Sequence, residues 1–225
     1  MKIIKNKATM LLAGLACMML SVGASASPIT LSGKGWTQAT PGSGQTGSVT
    51  GGGRTVTAIV GQFRFSGVSS PTGHFAGPLD AFCIDISVNL QTPYVYNVID
   101  ASGHAPISGK LNQIALLFET YYHTLGTSAD RSAAFQLALW SIVYKDTTTP
   151  FSYTAGHFNG AVTTFFGEFT SLTGTAKGLY DLFVLVPVGT NQTLLTVRPV
   201  PEPGSLMLLG LGVLGAGAAR RFRKH

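Results

Sequence analysis

Two short apolar segments bracket the chain and limit the part that can fold as a globular domain. The first covers residues 8–22, follows three lysines within the first seven residues, and precedes Ala24-Ser25-Ala26. A basic start, an apolar stretch and a small-x-small triplet are typical of a secretory signal peptide. We therefore predict that residues 1–26 are a signal peptide, that the protein is exported across the inner membrane, and that residues 27–199 form the folded domain. Lipidation at Cys17 is disfavoured, because residues 14–16 lack the leucine expected three positions before a lipidated cysteine.

The second apolar segment, residues 205–219, lies between Pro201-Glu202-Pro203 and a terminal basic cluster that begins at Arg220. These fifteen residues would rise about 22 Å as a helix, which is less than the hydrocarbon thickness of about 30 Å. The pattern predicts a short hydrophobic helix that inserts transiently in the membrane, with its basic end in the cytoplasm. An ordinary short membrane anchor is the alternative, but it does not explain the Pro-Glu-Pro triplet.

Pro-Glu-Pro, an apolar helix and a terminal arginine cluster, in this order, resemble the PEP-CTERM sorting signal of Gram-negative bacteria. The residues that carry the resemblance are Pro201, Glu202, Pro203, Arg220 and Arg221. The resemblance implies that residues 200–225 are a sorting signal and that an exosortase-type membrane protease is a partner. It also implies a final location at the cell surface or in an extracellular matrix, in a biofilm-forming host that makes extracellular polysaccharide.

The formal net charge of +6 belongs to the two ends of the chain. Seven of the fifteen basic residues lie within residues 1–26 and 200–225, and the eight that remain are matched by eight acidic residues in the domain. A nucleic-acid-binding face needs clustered basic side chains. The charge distribution therefore excludes nucleic acid as a partner.

The domain divides into a β-rich first half and a more helical second half. Glycine-rich turns and alternating apolar residues predict strands over residues 54–66, 82–88 and 94–99. Apolar residues at helical spacing predict helices over residues 110–122, from residue 127 or 128 to about 144, and around 176–183. Residues 182–188 and 193–197 predict a closing hairpin. The fold class is α+β: a β-rich, barrel-like or sandwich-like N-terminal part, an inserted or appended helical part, the hairpin, and a C-terminal hydrophobic helix.

Cys83 is the one cysteine that remains after the signal peptide and its Cys17 are removed. Exported proteins normally pair their thiols in disulfides, so a single cysteine needs another explanation. In the predicted strand 82–88, alternation places Phe82 and Ile84 on the apolar face and Cys83 and Asp85 on the opposite face. This placement indicates a role other than packing.

Gln136 is a matching irregularity in the second predicted helix. Residues 133–143 are apolar nearly all round, which is typical of a buried helix, yet Gln136 lies in the middle of them. Burying a carboxamide without partners costs about 1–3 kcal/mol. Gln136 is therefore expected to have a specific partner or a specific chemical role.

An internal thioester explains both residues. Attack of the Cys83 sulfur on the Gln136 side-chain carbonyl, with loss of ammonia, protects the thiol from oxidation and removes the buried amide. A thioester lacks amide resonance and has a good leaving group, so it reacts with amines and hydroxyls. Each molecule reacts once, so the domain is expected not to be an enzyme and to need no cofactor.

Two motifs resemble those of the bacterial thioester domain of surface adhesins, over about residues 36–197. They are Phe82-Cys83-Ile84-Asp85 and Phe135-Gln136-Leu137-Ala138-Leu139-Trp140. The resemblance implies that a β-structured part supplies Cys83, that a helical part supplies Gln136, and that Trp140 packs behind the bond while Phe82 and Asp85 support the site. It also implies covalent capture of an amine or hydroxyl on a surface or matrix target. Asp85 is expected either to act on the incoming amine or to bond a neighbouring loop.

Other functions stay open at the level of sequence. A noncovalent structural or exopolysaccharide-associated matrix protein of the same sorting class is the main alternative. A Cys-His hydrolase would pair Cys83 with one of four histidines, but no hydrolase signature surrounds them. No metal site is expected, because these histidines show no i, i+4 pairing. A group of tyrosines is either a sugar-binding surface or half-buried packing. The residues concerned are His74, His104, His123 and His157 for the hydrolase and Tyr94, Tyr96, Tyr121 and Tyr122 for the sugar surface.

Overall fold

The computed structural model describes residues 27–36, 45–70, 75 and 77–200. The predicted signal peptide and the predicted C-terminal hydrophobic helix lie outside these residues. Among the helices within them, none has the length and apolar character needed to cross a membrane.

The described residues form nine strands and four α-helices. In chain order they are β1 (Ser27–Trp36), β2 (Gln45–Gly51), β3 (Arg54–Val60), β4 (Phe63–Ser69), β5 (Leu79–Cys83), β6 (Tyr94–Asp100), α1 (Ala105–Ser108), α2 (Leu111–Tyr121), α3 (Ala129–Val143), β7 (Ser152–Tyr153), α4 (Gly160–Thr170), β8 (Tyr180–Pro187) and β9 (Leu194–Pro199).

Six strands close into an antiparallel barrel in the order β1-β4-β5-β9-β8-β6. Closing the sheet on itself gives every strand of the barrel a neighbour on both sides, although the β4–β5 ladder stops at Ala81. The β8–β9 hairpin pairs Leu185 with Leu194 and inserts β9 beside β5. The last strand of the described chain is therefore a direct neighbour of the strand that ends at Cys83.

A second, three-stranded sheet has the order β3-β2-β7 and lies outside the barrel. Its β2–β3 hairpin turns at Gly52 and Gly53, whose φ angles are 58° and 81°. Two consecutive positive φ angles are the requirement of a type I′ turn, which glycine meets without steric cost. The glycine-rich turn therefore sets the register of this hairpin.

The helical part packs against both sheets through α3. Ser128 caps α3 by accepting a hydrogen bond from the Arg131 backbone N–H at 3.2 Å, and most of the helix surface is buried. Phe82 of β5 connects the barrel to the helices, because its ring lies 5.6 Å from Phe118 of α2 and 4.7 Å from Phe135 of α3. The core thus continues from the barrel wall into the helical layer.

The α+β fold class, with its barrel, helical part and closing hairpin, is confirmed. The predicted helices over 110–122 and from 127 or 128 to 144 correspond to α2 and α3, and the predicted hairpin corresponds to β8 and β9. The strand predicted over 94–99 is β6.

Three predicted elements are wrong in extent or type. The strand over 54–66 is two strands, β3 and β4, in different sheets. The chain leaves the first sheet at Gly61, whose φ is 154°, and the next backbone N–H, that of Gln62, donates to Ser132 Oγ at 2.7 Å. The strand over 82–88 ends at Cys83, because Asp85 Oδ1 accepts the Ser87 backbone N–H at 2.8 Å and bends the chain. The alternation that placed Asp85 beside Cys83 on one strand face therefore does not apply.

The helix predicted around 176–183 is also wrong. The Glu119 carboxylate of α2 accepts the backbone N–H groups of Lys177 at 2.6 Å and Leu179 at 2.8 Å, so these donors are not available to a helix. Strand β8 begins directly afterwards, at Tyr180. The helix that does form in this region is α4, which Asn159 caps by accepting the Val162 backbone N–H at 3.0 Å.

Candidate functional site at Cys83 and Gln136

Cys83 is the last residue of β5, at a place where the strand has a neighbour on one side only. On one side it pairs with Leu194 of β9. On the other side β4 begins at Phe63, opposite Ala81, so the ladder stops before it reaches Cys83. The backbone N–H and C=O of Cys83 therefore face a position that no strand fills.

The side chain of Gln136, from α3, fills that position. The Cys83 backbone N–H donates to Gln136 Oε1 at 2.9 Å, and Gln136 Nε2 donates to the Cys83 backbone carbonyl at 2.7 Å. A reciprocal pair of N–H···O bonds is what a residue of a neighbouring antiparallel strand would provide. The carboxamide thus substitutes for the missing residue of β4.

This pairing gives the buried amide its partner. Cys83 and Gln136 are only 3% and 1% exposed, so unpaired polar groups here would cost the full desolvation penalty. The structure brings together the two residues that sequence analysis singled out, 53 positions apart. The contact joins the Gln136 carboxamide to the Cys83 backbone, and the residue types alone do not reveal it.

The same contact changes the chemistry of the amide. An N–H donor on Oε1 draws electron density from the carbonyl carbon and stabilises negative charge on the oxygen. The donor belongs to the residue that carries the thiol. The carbonyl is therefore held beside Cys83, with a donor placed to stabilise the charge that nucleophilic attack would put on Oε1.

A cavity of about 270 Å³ opens beside Cys83. It lies between β3, the bend after β5 and α3, and its lining includes Thr57, Ile86, Trp140 and Gln192. No charged side chain among the described residues contributes to its wall. The cavity provides a neutral route by which a small group reaches Cys83.

Two tyrosine hydroxyls lie within electrostatic range of Cys83. Burial, followed by the charges of Cys83 and Tyr94, raises the pKa of Tyr96 far above its usual value. The Tyr96 hydroxyl is buried, with no hydrogen-bond partner among the described residues. Burial likewise raises the pKa of Tyr144, whose hydroxyl accepts the Ile86 backbone N–H at 3.0 Å and donates to the Ile84 carbonyl at 3.4 Å. Both hydroxyls stay protonated at neutral pH.

The three residues predicted to support the site lie in different surroundings. Phe82 lies in the aromatic core with Phe118 and Phe135. The Asp85 carboxylate accepts hydrogen bonds from the backbone N–H of Ser87 at 2.8 Å and from its hydroxyl at 2.6 Å, so it stabilises the bend after β5. Trp140 lines the cavity, and its ring lies 6.1 Å from that of Phe151.

The residues of the alternative functions do not gather at Cys83. No histidine of the described part of the chain lines the cavity, and His74 lies outside that part. His157 accepts the Ser48 backbone N–H at 3.2 Å. Within the described ranges, no three His, Cys, Asp or Glu side chains form a possible metal site.

The four tyrosines that the sequence leaves open between a sugar-binding surface and packing make packing contacts. Tyr96 is fully buried beside Tyr94, at a ring distance of 5.8 Å. Tyr121 packs on Phe169 at 4.3 Å, and Tyr122 packs on Tyr180 at 5.8 Å. Tyr144 has no local signal in the sequence, because only the three-dimensional fold brings its hydroxyl to the bend after Cys83.

The C-terminal residues of the chain match a known sorting signal. Residues 199–224 match the PEP-CTERM protein-sorting motif. This motif supports an exported, surface-associated protein. No curated protein matches the chain in sequence.

Among solved structures, the chain is similar to thioester domains of bacterial surface proteins. One is the N-terminal thioester domain of a surface protein from Clostridium perfringens, at 13% identity and a TM-score of 0.42, over 61% of this chain and 88% of that one. Its Cys138Ala mutant gives 11% identity and a TM-score of 0.44 over the same shares. The N-terminal domain of the Streptococcus pyogenes pilus tip adhesin Cpa gives 16% identity and a TM-score of 0.41, over 62% of this chain and 84% of that one.

Proposed function

We propose that the domain forms an internal thioester between Cys83 and Gln136 and uses it once, to attach the protein covalently to an amine or hydroxyl on a surface or matrix target. The observation that supports this proposal most directly is the reciprocal hydrogen bonding of the Gln136 carboxamide with the Cys83 backbone. It holds an electrophilic carbon next to the residue that carries the thiol.

Thioester formation is a substitution at the Gln136 carbonyl carbon. The Cys83 sulfur forms a bond to that carbon, the carbon–nitrogen bond breaks, and ammonia leaves with the thiol proton. The Cys83 N–H keeps its hydrogen bond to Oε1 throughout and carries part of the negative charge of the tetrahedral intermediate. The bond to the Cys83 carbonyl is lost with the amide nitrogen.

In capture, the Cys83 sulfur is the leaving group rather than the attacking atom. A target amine or hydroxyl enters the neutral cavity and attacks the thioester carbon, and the carbon–sulfur bond breaks. The proton of the nucleophile ends on the Cys83 sulfur. The Tyr96 hydroxyl is buried with no hydrogen-bond partner among the described residues and lies within electrostatic range of Cys83, so it is available to stabilise the departing thiolate.

The two ends of the chain support a location outside the cell for this chemistry. We propose that residues 1–26 direct export, that residues 205–219 hold the protein transiently in the membrane, and that an exosortase-type protease then cuts near Pro201-Glu202-Pro203. The PEP-CTERM match supports the sorting step. The released domain would then act at the cell surface or in an extracellular matrix.

The intact mass of the exported full-length chain tests the proposal. We expect the wild-type protein to be one ammonia lighter than its sequence, and Cys83→Ala and Gln136→Ala to have the unmodified mass. Methylamine should add its own mass to wild-type protein and release one titratable thiol per chain, in a single turnover. An unmodified wild-type mass with a titratable thiol would refute the thioester.

A noncovalent matrix protein of the same sorting class is the second candidate. It is favoured by the completeness of the Gln136 hydrogen bonds, which satisfy the buried amide without any covalent bond. In that case Gln136 serves only to dock α3 on the barrel. The mass measurement distinguishes the two functions, because only the thioester removes ammonia.

A further inference from the structure

Trp140 carries a buried polar atom whose role packing does not explain. The residue is 3% exposed, and its indole Nε1–H is buried with no hydrogen-bond partner among the described residues. An unpaired buried donor costs about 1–3 kcal/mol. Native proteins retain few such groups, and each one needs a structural or functional reason.

The position of Trp140 on α3 relates this donor to Gln136. The two residues are four apart, so they lie on the same face of the helix, and helical side chains lean toward the N-terminal end. The indole of Trp140 therefore leans over the turn from which Gln136 extends. Trp140 also lines the cavity that Cys83 lines, and Phe151 supports its ring from a distance of 6.1 Å.

We propose that the Trp140 indole N–H is the second oxyanion donor of the site, acting on Oε1 of Gln136 in the tetrahedral intermediates. This inference rests on the proposed thioester function. The Cys83 backbone N–H, at 2.9 Å from Oε1, is the first donor. Oxyanion sites commonly combine two such donors, preorganised and shielded from water.

Both chemical steps pass through an oxyanion on the same oxygen. In formation, the intermediate carries the Cys83 sulfur and the amide nitrogen on the former carbonyl carbon, and it collapses with loss of ammonia. In capture, it carries the sulfur and the incoming nucleophile, and it collapses with release of the Cys83 thiol. Charge develops on Oε1 in both, so a donor at this atom accelerates both steps.

Two features favour this role over packing or ligand recognition. A phenylalanine or leucine would fill the space beside Phe151 without the cost of burying an N–H group. In addition, Nε1 is itself buried, so it is placed to serve an atom inside the protein rather than a group that arrives from solvent. Oε1 of Gln136 is such an atom, on a residue that is 1% exposed.

The test compares three forms of the full-length exported chain with the wild type. Trp140→Phe keeps an aromatic ring and removes the N–H. A chain with 3-benzothienylalanine at position 140 keeps the bicyclic shape and replaces the N–H by sulfur. Phe151→Leu is the matched control, because it loosens the packing of the Trp140 ring and keeps its N–H.

Two rates are measured by intact mass and thiol titration. The first is thiol release by methylamine. The second is re-formation of the thioester after ammonia has opened it and has then been removed. Loss of one oxyanion donor slows such reactions by about 100-fold to 1,000-fold. We expect slowing of this order for both rates in both forms without the N–H, and a smaller slowing in Phe151→Leu, which keeps the N–H and loosens its support.

Each outcome decides the inference. If the wild type forms the thioester and the benzothienylalanine form reacts at the wild-type rate, the donor role is wrong and the proposed function stands. If the wild type has the unmodified mass, the proposed function and this inference both fail. Should Trp140→Phe not fold, the benzothienylalanine form gives the answer.

Discussion

Replacing Gln136 by glutamate should make the stability of the domain depend on pH in a way that tests the buried pairing. The substitution is made in a Cys83→Ala background, which keeps the Cys83 backbone groups and removes all thiol chemistry. A protonated glutamate reproduces both hydrogen bonds, because its carbonyl accepts the backbone N–H and its hydroxyl donates to the backbone carbonyl. An ionised glutamate instead directs a charged oxygen at that carbonyl oxygen, which Nε2 approaches to 2.7 Å.

The size of the effect follows from the burial of position 136. Gln136 is 1% exposed, and carboxyl groups buried in this way reach pKa values of about 8–9, against about 4.3 in the unfolded chain. A folded-state pKa that is raised in this way contributes stability that is fully present below the unfolded pKa and is lost as the pH rises toward the folded pKa. At about 1.4 kcal/mol per pH unit, the loss between pH 4.3 and pH 7 is about 4 kcal/mol.

Urea denaturation from pH 4.5 to 7.5 measures this loss. The quantity of interest is the difference in unfolding free energy between Cys83→Ala/Gln136→Glu and Cys83→Ala alone, because other titrating groups cancel in it. We expect near-equal stability at the acid end and a difference that grows with pH. A constant difference across the range would show that the side chain at position 136 does not lie in the buried pair, and it would remove the structural basis of the site.

Three further predictions concern the surroundings of the site. Ser132→Ala should lower the unfolding free energy by about 1–3 kcal/mol in urea, because it leaves the buried Gln62 N–H without its acceptor, whereas Ser141→Ala, which removes a bond within α3, should change it far less. Tyr144→Phe should increase the rate at which a thiol reagent modifies Cys83 in a Gln136→Ala background, because it releases the bend at Ile86; an unchanged rate would contradict this role. Burial raises the pKa of Tyr122 to about 12, and a raised pKa gives stability that is kept below the unfolded value of about 10 and lost above it. The unfolding free energy should therefore fall by up to about 3 kcal/mol between pH 10 and pH 12, and by less in Tyr122→Phe, when both are measured by urea denaturation; equal losses in the two proteins would refute this.

The sequence predicts well those elements whose signals are local. The cap at Ser128 and the apolar run after it define α3, and the four-residue connection between two apolar runs defines the β8–β9 hairpin. Gln136 stands out because a carboxamide within an apolar helix is costly. These features depend on residues that are near one another in the chain.

Elements controlled by distant partners are not predictable in this way. The strand over 54–66 divides because Ser132 of α3 takes the Gln62 N–H, and residues 176–179 are not helical because Glu119 of α2 takes their donors. The same limit applies within the site. The sequence pattern marks Cys83 and Gln136 as unusual. Only the fold shows that the β4–β5 ladder stops at Ala81, so that a side chain rather than a strand completes the edge of β5 at Cys83.

The neighbouring positions of β5 and β9 decide which part of the molecule would bear mechanical load. Under the proposed function, a target joined to Gln136 would pull on α3, and wherever the chain is held at the end of β9, tension would run through the chain from residue 136 to residue 199. The strands that precede Gln136 lie outside this line of force, although β5 is held to β9 by the pairing of Cys83 with Leu194. Shearing β9 along its neighbours would require several antiparallel hydrogen bonds to break together, which is the geometry in which a sheet resists extension best.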